Sequence, residues 1–131
     1  MTKKIIAKFG GTSVSSRSRW QTIVGIVQSH LDNNLQPIIV CSALSQASNQ
    51  LESLIQAATH NQHASLLEEL LTRYAAFAHS MDVATDVYLE HAKALENWLH
   101  GIALLKEATP KVSALIMACG ERMLTAIAAA F

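Results

Sequence analysis

Lys8-Phe9-Gly10-Gly11-Thr12-Ser13-Val14 leaves the apolar run Ile5-Ile6-Ala7 and feeds a helix-forming segment. A strand that delivers two glycines, a lysine and hydroxyls is chemically suited to holding phosphate. Gly10 and Gly11 lack a Cβ, so their N–H groups can approach an anion closely and can take up positive φ. Lys8 adds a mobile point charge able to follow phosphoryl oxygens as negative charge shifts between them. The pattern is neither a Walker loop, in which the lysine follows the glycines, nor a GxGxxG fingerprint. A glycine pair after a strand also serves as a tight turn, so the residues by themselves leave both readings open.

Working outward, residues 3–9 read as a buried strand. Ile23, Ile26, Val27, His30 and Leu31 share a helical face, with Ser15, Ser16 and Ser18 as N-cap candidates. Asp32-Asn33-Asn34 ends that helix, and Pro37 introduces a second strand, Ile38-Ile39-Val40-Cys41. Strand, helix and strand with short connections predict a right-handed βαβ unit with parallel strands. The polar segment Ser42 to Asn49 then lies beside the glycine loop, at the edge where open α/β sheets place ligands. The remainder reads as helices, with apolar stripes Leu51-Leu54-Ile55-Ala58, Leu66-Leu67-Leu70-Leu71-Tyr74-Phe77 and Val87-Leu95-Leu99-Ile102. Gly101 is a candidate interruption of the third of these. Pro110 suits the first turn of a last helix carrying Val112, Leu115, Ile116, Cys119, Met123 and Ile127. Parallel sheets normally have more strands and both faces covered, so further strands are expected from beyond residue 131 or from another copy of the chain. The last helix has no stop signal before Phe131, which points to an interrupted domain.

The 131 residues can bury a sizeable core, and with 50% hydrophobic but 5% aromatic residues it must be built from Leu, Ile, Val and Ala. Ten basic and ten acidic residues cancel, which argues against a nucleic-acid surface. No signal peptide is visible, and the longest apolar stretches fall short of about 18 residues, so no membrane span is expected. Cys41 and Cys119 read as two buried free thiols of a reducing cytosol. The scattered histidines, His60 and His63 included, form no ligand set, so no metal site is expected. No GxSxG elbow or Cys–His pair appears. Arg17, Arg19 and Trp20 either guard the glycine loop or start a surface helix.

KFGGTSV resembles the amino-terminal signature of aspartokinases, within the amino acid kinase family. Val40-Cys41-Ser42-Ala43-Leu44-Ser45-Gln46-Ala47-Ser48-Asn49 is similar to that family's VVSAxxGxTN pattern. Gln46 or Ala47 stands where glycine is usual, and Ser48 replaces threonine while keeping the hydroxyl. Gly120-Glu121 resembles the family's GE dipeptide. Read from the residues alone, Ser45 to Asn49 could simply cap a helix, and Glu121 could be a solvent-facing partner of Arg122 or of a distant lysine.

The resemblance implies an incomplete three-layer amino acid kinase-like α/β fold with a parallel βαβ unit and a long helical insertion. It implies that residues 1–131 are the amino-terminal portion of an aspartokinase domain. The activity it implies is transfer of the γ-phosphoryl group of ATP, as its Mg2+ complex, to the β-carboxylate of L-aspartate. Lys8 would be catalytic, with Gly10, Gly11 and Ser13 along the phosphate path. Ser42, Ser48 and Glu121 would bind the substrate, and Gly120 would let it approach the helix. The helical excursion between Asn49 and Gly120 resembles lysine-sensitive and bifunctional aspartokinases. The family's Arg-Gly-Gly-Ser-Asp motif has no match here, so the isolated chain is expected to be inactive. The expected setting is a cytoplasmic homo-oligomer that binds L-aspartate and ATP, and neither nucleic acid nor membrane. The alternatives are a kinase for glutamate, acetylglutamate, carbamate or UMP, or a non-catalytic oligomerising α/β module.

Overall fold

The computed structural model describes residues 2–131. Strand β1 (Lys3–Phe9) leads through a 3₁₀ turn at Gly11–Ser13 into α1 (Arg17–Asp32), then strand β2 (Leu35–Cys41). Helices α2 (Ala47–Ala58), α3 (Ala64–Ser80), α4 (Leu89–Leu105) and α5 (Pro110–Ala130) follow. β1 and β2 pair in parallel from Lys3↔Leu35 to Phe9↔Cys41, so the strand–helix–strand reading holds. The fold is α/β, a parallel βαβ unit joined to a helical lobe.

β1 is not buried as expected, and β2 behaves like it. Their exposure alternates, because the described helices cover one sheet face. Phe9, Ile39 and Cys41 turn toward α1 and α5, whereas Ile6, Ile38 and Val40 are 71%, 45% and 43% exposed. β2 also starts before Pro37 rather than after it. Pro37 lacks an N–H to donate, which an edge strand tolerates.

α1 is rotated partly off the face its periodicity marks, keeping Ile23, Val27 and His30 turned inward but not Ile26 and Leu31. Trp20 and Ile23 are buried and Val27 packs on the core, while Ile26 and Leu31 are exposed. The indole Nε1–H of Trp20 donates to the Val14 carbonyl at 2.8 Å, and this buried bond fixes the helix rotation. The turn at Asp32-Asn33-Asn34 forms as read, with Asn34 at φ 58°.

The helical lobe follows its stripes except at Val87, which lies exposed in a 3₁₀ turn (Thr85–Tyr88) ahead of α4 while Leu95, Leu99 and Ile102 are buried. Leu51, Leu54, Ile55 and Ala58 of α2, and Leu67, Leu70, Tyr74 and Phe77 of α3, are all buried. Gly101 does not interrupt α4, which runs through it to Leu105. A Cβ there would meet no atom within 4 Å, so the glycine weakens the helix only through backbone entropy. α5 begins as its sequence foretells. The Thr109 hydroxyl accepts from the Val112 N–H at 3.3 Å, and Pro110 occupies the first turn.

One expectation needs correction. α5 has 21 residues, with a mean hydropathy of 1.5 over its most apolar 18, long and apolar enough by composition to cross a membrane. Its apolar character follows from its place in the core, where Ile116, Met123, Leu124 and Ile127 are fully buried. Exposed Glu121 and Arg122 interrupt its other side.

Candidate active site

The carboxyl ends of β1 and β2 release two loops that fold against each other. The ladder extends one step past the strands, with the Ser42 N–H donating to the Phe9 carbonyl at 3.1 Å. Ser15 Oγ donates to the Gly11 carbonyl and accepts the Ser45 backbone N–H at 3.0 Å. The two loops the sequence placed at one sheet edge are therefore in direct contact.

Lys8 lies on the open sheet face beside Val40, its register partner. Among the described residues the one salt bridge joins Arg17 to Asp82 at 2.5 Å, so no carboxylate there pairs with Lys8. Neither glycine uses positive φ, contrary to that part of the reading. Gly10 is extended at φ −79°, and a Cβ on it would meet nothing within 4 Å. The position over Gly10 is thus open to solvent. Gly11 is held closer, its Cβ position 3.4 Å from the Ala43 carbonyl oxygen. Ser13 is half-buried, and its N–H closes the turn on the Gly10 carbonyl at 3.0 Å.

Ser42 sits at the junction of the loops, half-buried. Ser48 is not in the loop but in the first turn of α2, exposed. The irregular residue is Gln46, at φ 66° and ψ −1°. This left-handed conformation favours glycine, which explains the glycine of the similar motif and assigns its place to Gln46 rather than Ala47. Asn49 Nδ2 donates to Gln46 Oε1 at 2.7 Å.

Glu121 projects from α5 into a crevice of about 480 Å³ along β2, with Val40, Cys41, His91, Arg122 and Thr125. Val40 is the register partner of Lys8 and also lines the crevice that holds Glu121, but Lys8 itself lies on the open sheet face, away from α5. No hydrogen bond joins Ser42, Ser48 and Glu121 among the described residues.

Gly120 departs from its assigned role. It is buried, and a Cβ would lie 3.1 Å from Ala43 Cβ, 3.1 Å from Leu51 Cδ1 and 3.2 Å from the Tyr74 hydroxyl. The missing side chain lets α5 close onto the loop after β2, rather than opening room for a ligand. Tyr74, fully buried, donates its hydroxyl to the Gly120 carbonyl at 2.8 Å and meets the Tyr88 ring edge-on at 6.4 Å. Arg73 reaches back from α3, with Nη2 donating to the Ser45 carbonyl at 2.7 Å and Nη1 to Gln50 Oε1. Sequence reading missed Arg73 and took Tyr74 only as core. Their partners lie far away in the chain, and a polar residue on a helix stripe is the sole local signal.

Arg17 ties the start of α1 to the turn after α3, bonding the Ser80 carbonyl at 3.0 Å as well as Asp82. The Arg17 guanidinium holds the exposed Asp82 carboxyl below its usual range. Cys41 is half-buried rather than buried, and both thiols are free. Among the described residues no group of three His, Cys, Asp or Glu could hold a metal ion.

Burial pushes the Tyr74 phenol up to about 12, against the opposing pull of the Leu44 backbone and the Arg73 charge. Burial likewise pushes the Cys119 thiol up to about 11. Both groups release protons more readily when unfolded. Their stabilising effect is therefore intact below pH 9 and is lost as pH rises toward 11 and 12. Tyr74 should contribute to that loss once the pH passes the unfolded phenol's pKa of about 10. Urea unfolding of Tyr74→Phe should show a shallower decline between pH 9 and 11 than the unaltered chain; equal slopes would remove Tyr74 as the cause.

The strand-borne glycine loop and the facing serine loop meet at the carboxyl edge of a parallel βαβ unit, and a helix-borne glutamate lies beside β2. The chain belongs to the amino acid kinase family, whose sequence model matches residues 3–131. It is similar to chloroplastic aspartokinase 3 of Arabidopsis thaliana, with 32% identity over 96% of this chain and 23% of that protein. The aspartokinase of Rickettsia bellii is 40% identical over 50% of this chain and 16% of its own length. The fold matches Escherichia coli aspartokinase III, solved in complex with aspartate and ADP. The TM-score is 0.79 at 21% identity, covering 98% of this chain and 28% of that one. The chain spans about a quarter of the length of these end-to-end matches.

Proposed function

We propose that this chain is the amino-terminal portion of an aspartate kinase domain. Its parent would transfer the γ-phosphoryl group of Mg-ATP to the β-carboxylate of L-aspartate, opening lysine, threonine and methionine biosynthesis. The observation that carries this reading is the junction of the two loops at the carboxyl ends of the parallel strands, held by the Ser15 hydroxyl between Gly11 and Ser45. A carboxylate is already nucleophilic, so alignment and charge stabilisation suffice and no strong base is needed. Lys8 would meet the transferred phosphoryl, and Gly10, Gly11 and Ser13 would line its path. The solvent-open position over Gly10 and the Lys8 ammonium, with which no carboxylate pairs among the described residues, are compatible with a polyphosphate. Mg2+ would arrive with ATP and neutralise charge between its phosphates. Ser42 and Ser48 would donate to the aspartate carboxylates and Glu121 would accept from its ammonium. A cytoplasmic homo-oligomer belongs to the same proposal, the exposed Ile6, Ile38 and Val40 supporting association through the open sheet face.

Titration of the ¹⁵N-labelled chain tests the assignment. Magnesium ADP should shift the Gly10 and Gly11 amides, and L-aspartate those of Ser42, Ser48 and Glu121. Glutamate, acetylglutamate, carbamate and UMP should each do less than aspartate. A stronger response to any of these four would move the chain to another branch of the family. The chain alone should not turn over aspartate; a rate near that of an intact aspartokinase would refute its being a portion of the domain.

A further inference from the structure

Ser15 takes no part in the chemistry proposed above, yet it touches both loops. Its hydroxyl donates to the Gly11 carbonyl and accepts the Ser45 N–H at 3.0 Å. One hydroxyl can fill both roles, having a single donor and two lone pairs. The ordinary use of a serine before a helix is to cap it, accepting an N–H of the first turn. Neither Ser15 nor Ser16 does so for α1. The Ser15 bonds instead run across the fold.

Ser45 is gripped from its other side as well. Its carbonyl accepts from Arg73 Nη2 at 2.7 Å, and Arg73 is itself held by Gln50. The next residue, Gln46, holds a left-handed conformation that side chains rarely adopt. Gly11 lies against the Ala43 carbonyl on the same loop. A movement of the Gly11 carbonyl thus has a direct route through one hydroxyl to a peptide group with little freedom to absorb it.

We propose that Ser15 is a positioning residue that couples the glycine loop to the loop after β2, so that filling the phosphate subsite tightens the amino-acid subsite. The proposal rests on the functional reading above and adds a link between its two halves. Such a coupling is reciprocal, and a single hydrogen bond of ordinary strength sets its size at about fivefold in affinity.

Amide spectra of the full chain, recorded with magnesium ADP and with L-aspartate, separate the possibilities. In the unaltered chain ADP should shift Ser45 together with Gly10 and Gly11, and aspartate should bind about fivefold tighter once ADP is saturating. In Ser15→Ala, ADP should still shift Gly10 and Gly11, while Ser45 no longer follows and aspartate affinity becomes independent of ADP. Ser15→Thr, which keeps the hydroxyl, should restore both effects. A Ser45 response that survives in Ser15→Ala overturns the coupling and leaves the phosphate assignment standing. Silence at Gly10 and Gly11 in the unaltered chain overturns both. Hydrogen exchange of the unliganded, unaltered chain is an independent check should Ser15→Ala fail to fold. The Ser45 amide must be protected there, and rapid exchange overturns the proposal.

Discussion

Gly120→Leu is expected to destabilise the chain by about 3 kcal/mol or more, a large share of the 5–15 kcal/mol typical of a domain. The first added carbon already falls 3.1–3.2 Å from three groups that cannot easily retreat. Ala43 is on the braced loop, Leu51 is fully buried in α2, and the Tyr74 hydroxyl is bound to the Gly120 carbonyl itself. Three further carbons must displace α5 or the loop. Gly120→Ala sets a bracketing case, because better helix propensity, about 1 kcal/mol, works against the crowding. Gly101→Ala serves as the control, since its Cβ meets open space on a helix of the same lobe. It should raise stability by about 0.5–1 kcal/mol. Urea midpoints of the three variants decide the matter. A Gly120→Leu midpoint equal to that of the unaltered chain would falsify the packing role and return Gly120 to ligand approach.

What could be read from the sequence divides along a physical line. β1 appears with the bounds its apolar run and following glycines set, and α5 starts at Thr109-Pro110, because these are local signals. The stripe of α2 buries as written and that of α3 does so apart from the half-buried Leu66 and Leu71, since burial of a helix face follows mainly from period. The errors arise where a distant partner decides. The rotation of α1 depends on Trp20 finding the Val14 carbonyl, and no periodicity encodes that bond. β1 was expected to be buried because its apolar run suits a sheet covered on both faces, while the described helices cover one. Gly120 reads in sequence as an opening for a ligand, and its real neighbours come from the β2 loop, α2 and α3. The candidate site follows the same division. Its loops were legible because strand order and parallel pairing bring them to one edge. The braces that hold them, Ser15 and Arg73, were not, because hydrogen bonds to backbone groups leave no pattern in side-chain identity.

Lys8→Ala should lower kcat by about 10²–10³ in a full-length enzyme carrying this segment, the usual cost of removing one group that stabilises charge developing in a transition state. The substitution is clean for structural reasons. Lys8 is exposed on the open face of β1, and no salt bridge or side-chain hydrogen bond holds it among the described residues. Its removal leaves the parallel ladder intact, because the ladder uses main-chain groups alone. The fold should therefore be indifferent, and thermal unfolding of the Lys8→Ala chain should match that of the unaltered chain within about 0.5 kcal/mol. KM for aspartate should change little if, as proposed, Lys8 serves the phosphoryl group rather than the amino acid. Loss concentrated in kcat is the mark of an interaction made mainly in the transition state. Lys8→Arg should recover little, since a planar fork cannot follow the migrating phosphoryl as a compact ammonium does. If Lys8→Ala instead raised KM for aspartate and spared kcat, the ammonium would belong to the amino-acid subsite. The space over Gly10 would then need another cation to serve as a phosphate path.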